Sequence, residues 1–462
     1  MIARIRLACA LIGATVVVSA SAASAAPIPD RAARASQERA DWQALRQAAE
    51  AGNPAAQCLL GELYATGSVL PQDYGKAVEW FRRAAEQGLA QGQFALGLMH
   101  RHGRGVRQDE AEAARWYRRA AEQRHGEAQV NLGVLYEEGL GVRRDYLEAA
   151  RWYREAIECG SAPIRDAAAV HLGVVYAEGL GVDRDDAAAL EWFTRAAAGG
   201  DATGQFNLAL MHRDGRAVPR DDAEAMRWCR EAAEQSHPSA EYTMGWFYSQ
   251  GRGVARDLAA AGRWYRRAAE HGEPLAQFAL GLALERGQGM PAESHAAALW
   301  YERAAAQGHP EAQFNLAVMQ QEGRGTPQDH ARAAASYRQA AAQGVAEAQF
   351  NLALLLAQGS GVPRDDIEAV SWLRRAAEAG LPQAQFFLGL FCRDGRGTPR
   401  DDVQAYKWLL LGGVRTPEDR RWSIANAINE LARTMTPEAI AEARRQAREW
   451  AAAFDAREKR PE

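Results

Sequence analysis

The chain has 462 residues, with 55 Lys or Arg against 59 Asp or Glu, so its formal net charge is −4. Basic pairs such as Arg118 and Arg119 are followed closely by acidic residues, and this argues against nucleic acid as a partner. After residue 25 no segment stays apolar over the roughly 18 residues that a membrane span requires, so we expect no span in the mature chain.

The N-terminus has the order of a secretory signal peptide. Arg4 and Arg6 precede an apolar run over 7–18, and the small residues that follow favour cleavage after Ala25. We therefore expect a periplasmic or secreted protein of a Gram-negative bacterium; an uncleaved signal that anchors the chain is the alternative. The predicted divisions are a signal peptide (1–25), a linker and N-terminal capping helix (26–53), repeats (54–412) and C-terminal capping helices (413–462).

One tryptophan-centred phrase recurs along most of the chain, for example AARWYRRAAEQ at 113–123 and AGRWYRRAAEH at 261–271. The step is 36 residues except between Trp152 and Trp192, where it is 40, and Ser336 takes the place of one tryptophan. Such a period indicates a supersecondary unit that buries its apolar face only by stacking on its neighbours. We expect the four extra residues to form a longer surface loop; a bend of the stack is the alternative.

Each repeat contains two predicted helices. In the first helix Leu132 and Leu135 lie at core spacing, and the helix ends at Gly139, a position that is glycine in all ten copies. This uniformity predicts a left-handed C-cap.

The second helix begins after an N-cap aspartate, Asp145, which is Asp in nine copies and Glu293 in the other. Ala149 marks the expected closest helix contact. Trp152 and Tyr153 belong to an apolar stripe that we assign to the core rather than to a cofactor site.

The pattern A-x-x-x-L-G-x-x-Y-x-x-G-x-G-V-x-x-D-x-x-x-A-x-x-W-x-x-x-A-A resembles the Sel1-like repeat, a relative of the tetratricopeptide repeat, over about 54–412 in ten copies. The resemblance implies an all-α fold, a right-handed α-α superhelix of about ten helix pairs with N- and C-terminal capping helices. It also implies a protein–protein interaction scaffold or adaptor in envelope assembly or signalling, without enzyme activity. The alternative is a protein that binds or hydrolyses muropeptides or β-lactams, as suggested by cysteine-rich relatives; the partner cysteine of those relatives is alanine here.

The ends of the array and its cysteines depart from the repeat pattern. Residues 38–51 resemble a second helix without its first, and after the last repeat we expect one helix from Pro417 to about Arg433 and another from Pro437 through Phe454. Four cysteines remain after signal cleavage, too far apart for disulfides, and we assign all four to the core. They are Cys58, Cys159, Cys229 and Cys392.

No residue pattern predicts catalytic, cofactor or metal chemistry. The Gly-x-Gly loops lack the Lys-Ser/Thr of a phosphate cradle. His100 and His102 are two residues apart and point to different sides of a helix, so they do not form a zinc site.

The candidate binding residues are four equivalent asparagines of first helices, Asn131, Asn207, Asn315 and Asn351. An asparagine amide both donates and accepts, so it can bind the backbone of an extended peptide. Because Asn315 and Asn351 are one period apart, we place the peptide groove at repeats eight and nine, and we expect neither amide to support the core. The alternative is that asparagine is an ordinary helix-surface residue with no ligand.

Overall fold

The computed structural model describes residues 42–68, 70–414 and 418–458, and every regular element within them is a helix. The predicted signal peptide lies outside the described residues. The helices are α1 (42–50), α2 (Pro54–Thr66), α3 (Tyr74–Glu86), α4 (Ala90–His102), α5 (Glu110–Glu122), α6 (Gly126–Glu138), α7 (Tyr146–Cys159), α8 (Ala162–Glu178), α9 (Asp186–Ala198), α10 (Ala202–Asp214), α11 (Asp222–Glu234), α12 (Pro238–Gln250), α13 (Leu258–Glu270), α14 (Pro274–Arg286), α15 (Ser294–Ala306), α16 (Pro310–Glu322), α17 (His330–Ala342), α18 (Ala346–Gln358), α19 (Asp366–Glu378), α20 (Pro382–Asp394), α21 (Asp402–Val414), α22 (Glu418–Ala432) and α23 (Pro437–Glu458).

The chain divides into two compact units, with the boundary in the sequence between Ala240 and Glu241. In each unit an even-numbered helix is the first helix of a repeat and the next odd-numbered helix is its second. Helices pack in chain order within each unit, so each pair buries its apolar face against the pairs before and after it. The predicted all-α class of stacked helix pairs is confirmed.

The repeat with four extra residues, between Trp152 and Trp192, is here called the irregular repeat. Its extra residues lie in a helix. Helix α8 has 17 residues whereas α6 and α10 have 13, and Pro163 occupies its first turn. The expectation of a longer loop is therefore wrong. Proline is tolerated in the first helical turn because the backbone N–H groups there have no partner within the helix.

The helix boundaries follow the predicted caps. The glycine at the end of each first helix has a left-handed φ, such as 73° at Gly139, and Asp145 Oδ1 accepts a hydrogen bond from the backbone N–H of Glu148 at 3.0 Å. Gly141 adds a second constraint, because a Cβ atom there would lie 2.2 Å from the carbonyl carbon of Glu110. The loop of one repeat therefore packs directly on the start of the previous repeat's second helix.

The tryptophans lie at the border of the core. Of the nine, only Trp116, Trp152 and Trp408 are buried, and the other six are half-buried. A cationic side chain covers every one of these rings, at 4.4 to 5.6 Å from the centroid. Five of the six half-buried rings, all except Trp264, pack against the hydrophobic core, so the core assignment holds for one side of these rings while a cation covers the other.

One cysteine departs from its expected place. Cys58, Cys229 and Cys392 are buried, but Cys159 is half-buried and its Sγ donates to Gln129 Oε1 at 3.0 Å. The core assignment of Cys159 is therefore wrong, since the thiol is half-buried and contacts a polar side chain on the first helix of its own repeat.

Candidate binding face of the first helices

A recurring polar arrangement, here called the tyrosine site, links consecutive repeats. A second-helix tyrosine lies between two side chains: one sixteen residues earlier, on the first helix of its own repeat, and one fourteen residues later, on the first helix of the next repeat. The later position is the asparagine position of the sequence analysis. In one such site Tyr337 OH donates to Gln321 Oε1 at 2.8 Å, and Asn351 Nδ2 donates to Tyr337 OH at 3.2 Å.

The preceding repeat contains a matching tyrosine site. Tyr301 OH donates to Glu285 Oε2 at 2.8 Å, and Asn315 occupies the position fourteen residues after the tyrosine, as Asn351 does in the Tyr337 site. Asn315 and Asn351 are both half-buried, so part of each amide remains accessible. The two asparagines thus occupy equivalent positions beside a buried tyrosine, one repeat apart.

Burial determines the protonation of these hydroxyls. It raises the pKa of Tyr337 to about 12, while the hydrogen bond from Asn351 acts weakly in the opposite direction. Burial also raises the pKa of Tyr301. Both tyrosines are therefore neutral at physiological pH and can donate to one neighbour while accepting from the asparagine.

Asn131 has a different environment. Its Oδ1 accepts from Arg101 Nη1 at 2.8 Å, and its Nδ2 donates to the backbone oxygen of Glu127, also at 2.8 Å. Both ends of the amide are engaged inside the protein, so Asn131 has less capacity for a ligand than Asn351.

Asn207 lies in the core. It is only 3 % exposed, and the second-helix position that faces it is Phe193, which has no hydroxyl. The four asparagines are therefore not equivalent, and only Asn315 and Asn351 form a matched pair. The sequence expectation that these two amides do not support the core is wrong for Asn351, because it bonds to the nearly fully buried Tyr337.

The asparagine position of the irregular repeat is occupied by a histidine. His171 stacks on Tyr153 with ring centroids 4.8 Å apart, and Tyr153 OH donates to Glu137 Oε2 at 2.6 Å. Burial raises the pKa of Glu137, but hydrogen bonds from His171 and Tyr153 outweigh this effect and lower it below the usual value. The tyrosine hydroxyl therefore donates to a carboxylate here, as Tyr301 does to Glu285, whereas Tyr337 donates to the amide of Gln321.

The sequence analysis missed a buried glutamine row. The fourth residue of the first helix is Gln in eight repeats, and in one of them Gln93 Nε2 donates to Ala85 O at 3.2 Å and Gln93 Oε1 accepts from Gln123 Nε2 at 2.8 Å. These glutamines are at most 6 % exposed. The recurrence of glutamine within an apolar helix face could have predicted this row. A buried amide needs hydrogen-bond partners, so a glutamine that recurs there indicates a repeated hydrogen-bond arrangement.

The glutamine row changes at one repeat of the second unit. There the position is Glu241, 0 % exposed, whose carboxylate lies 2.5 Å from Arg267 Nε and 2.7 Å from His271 Nδ1. The ion pair replaces the two amide hydrogen bonds of the other repeats, so the buried charge is compensated locally.

The described residues contain no grouping of His, Cys, Asp or Glu side chains that could hold a metal ion. No helix within the described ranges is long and apolar enough to cross a membrane.

Comparison with known proteins agrees with this repeat structure. The Sel1 repeat model matches ten consecutive segments from 54–89 to 382–412. A protective antigen of uropathogenic Escherichia coli strains, whose crystal structure displays an SLR fold, is 32% identical over 91% of this chain and 97% of that chain, with a TM-score of 0.51. A Sel1 repeat protein from Oxalobacter formigenes is 33% identical over 73% of this chain and 98% of that chain, with a TM-score of 0.54. No curated protein matches the chain.

Proposed function

Because this chain belongs to the Sel1 repeat family, we propose that it is a periplasmic interaction scaffold that binds an extended segment of a partner protein across repeats eight and nine. Sel1 repeat proteins typically act in protein–protein interaction. The order of residues 1–25, with two arginines before an apolar run and small residues after it, supports export.

The matched pair Asn315 and Asn351 carries the proposal. The hydroxyl of the buried Tyr337 accepts from Asn351 and fixes its amide, so this amide reaches a ligand with little loss of side-chain entropy on binding. Asn315 occupies the equivalent position one repeat earlier. No hydrogen bond within the described residues engages Asn351 Oδ1, which is therefore available to a peptide N–H.

Apolar side chains beside the two asparagines complete the proposed groove. Phe314 and Val318 flank Asn315, Phe350 and Leu354 flank Asn351, and all four are half-buried. Alternating amide and apolar groups suit an extended peptide, whose backbone is polar and whose side chains alternate in direction.

The experiment begins with a partner copurified from envelope extracts on tagged protein and identified by mass spectrometry. The affinity of that partner is then measured for the wild type and for the double variant Asn315→Ala, Asn351→Ala. Each lost neutral hydrogen bond costs about 0.5 to 1.5 kcal/mol, so the two together should weaken binding roughly five- to a hundredfold.

Asn131→Ala is the matched control, because it removes an equivalent amide that is already engaged within the protein. It should leave the affinity unchanged. If the double variant is folded by circular dichroism and binds as tightly as the wild type, the proposed groove is wrong.

A further inference from the structure

One tyrosine site of the second unit differs from the others in the size of its two flanking residues. Tyr265 lies between Ser249 and Ala279, whereas the next two sites have Glu285 with Asn315 and Gln321 with Asn351. Both flanking side chains are short, so the space that longer groups fill elsewhere is empty here.

The empty space is a pocket of about 180 Å³ between α12, α13 and α14. Ala261 and Gly262 form part of the wall on α13, and Ala279 and Leu282 form the wall on α14. A buried water occupies about 30 Å³ of liquid volume, so the pocket has room for a peptide side chain.

The pocket holds one hydrogen-bond donor that lacks a strong partner. Tyr265 is 9 % exposed, and its hydroxyl donates only to Ser249 Oγ at 3.2 Å. The equivalent hydroxyls of Tyr153 and Tyr301 donate to carboxylates at 2.6 and 2.8 Å. Burial raises the pKa of Tyr265, so its hydroxyl keeps its proton.

The charge of the pocket complements an acid. Arg256 lines it, with its Nε bonded to the backbone oxygen of Ser249 at 3.0 Å, and none of the lining residues is acidic. In two other tyrosine sites a glutamate of the chain itself accepts from the tyrosine, which shows that this geometry accommodates a carboxylate.

We infer that the pocket around Tyr265 receives a glutamate side chain of the bound partner segment, whose carboxylate takes the place that Glu137 and Glu285 occupy in their own repeats. Ala279 is one period before Asn315, so the pocket continues the proposed groove by one repeat. The inference rests on the proposed function, since it names a specificity pocket of the same groove.

The test uses the full-length protein and three pools of fluorescein-labelled peptides of about ten residues, roughly 33 Å when extended. The pools share the same randomised positions and differ only in a fixed central residue, Glu, Gln or Leu. We expect the Glu pool to bind about tenfold more tightly than the Leu pool in fluorescence anisotropy, as a charged hydrogen bond provides.

Two variants at one position separate the pocket from the rest of the groove. Ser249→Glu supplies an internal carboxylate to Tyr265 and should abolish the preference for the Glu pool, while Ser249→Ala leaves the space open and should retain it. Thermal unfolding should show Ser249→Glu to be at least as stable as the wild type, because it recreates the pairing of Tyr153 with Glu137.

The outcomes distinguish the two proposals. Equal binding of the three pools, or a Glu preference that persists in Ser249→Glu, overturns the pocket and leaves the groove in place. If the wild type binds none of the pools, or if Asn315→Ala with Asn351→Ala weakens none of them, the groove itself is wrong.

Discussion

Tyr153 in the first unit and Tyr265 in the second occupy the same position of their repeats. Their tyrosine sites differ in the side chains that surround the hydroxyl. Tyr153 bonds to Glu137 and stacks on His171, so its site is closed by the chain itself. Tyr265 has Ser249 and Ala279 as neighbours, and a pocket remains. In a repeat protein, side-chain size at two positions thus decides whether a polar site stabilises the stack or is open to a ligand.

The largest expected difference between the two sites appears when each hydroxyl is removed. Tyr153→Phe leaves the half-buried Glu137 carboxylate without its 2.6 Å donor and should cost about 2 kcal/mol, the range for hydrogen bonds to charged groups. Tyr265→Phe breaks only the 3.2 Å contact to Ser249 and should cost about 0.5 kcal/mol. Native-state hydrogen exchange of the amides in α7 and α13 measures both values, and equal costs would remove the distinction between the sites.

The glutamine row offers a comparison of the same kind within the second unit. Gln343 Nε2 donates to Gln313 Oε1 at 2.8 Å, whereas the equivalent position one repeat later is Ala379, and the buried Gln349 Oε1 has no partner among the described residues. Gln343→Ala should therefore destabilise its repeat by about 1 to 2 kcal/mol, because a buried acceptor loses its donor.

The reverse substitution should stabilise the next repeat. Ala379→Gln provides Gln349 Oε1 with the donor that Gln343 gives to Gln313, and the expected gain is about 1 kcal/mol. Urea unfolding followed by circular dichroism measures the change. Destabilisation by Ala379→Gln would show that the geometry of the row does not continue into this repeat.

The smallest expected effect is a pH dependence confined to the closed site. The pKa of Glu137 is lower in the folded protein than its usual value of about 4.3, so its stabilising contribution is complete above that pH and is lost as the pH falls through the folded pKa. Exchange protection around α7 should therefore decrease more steeply below pH 4.3 in the wild type than in Glu137→Gln. Identical profiles would mean that Glu137 is not held as a carboxylate.

The sequence was sufficient to predict the helix pairs, because the repeat period, the helix caps and the spacing of apolar residues are local properties of the chain. Gly139 and Asp145 predict where helices stop and start, and the structure agrees at both. Trp192 and Cys159 show the limit of such patterns, since both are half-buried. Trp192 meets an arginine, and Cys159 donates to a glutamine on the first helix of its own repeat. Their environments depend on residues about three or thirty positions away.

The candidate site could be predicted only in part for the same reason. The period alone placed Asn315 and Asn351 in adjacent repeats, but it also made Asn131 and Asn207 candidate binding residues. What separates them is the partner at another position, Arg101 for the first and Phe193 for the second. A residue type that recurs at one position of the repeat therefore predicts where its side chain lies on the helix. Whether that side chain is available to a ligand depends on the residues at other positions of the repeat.

Hydrogen exchange of the full-length protein with and without its copurified partner tests the proposed binding face most directly. We expect bound partner to slow exchange in α14, α16 and α18, the first helices that carry Ala279, Asn315 and Asn351, and to leave α4 and α6 unchanged. Protection confined to second helices, or to the C-terminal helices α22 and α23, would contradict a binding face on the first helices of these repeats.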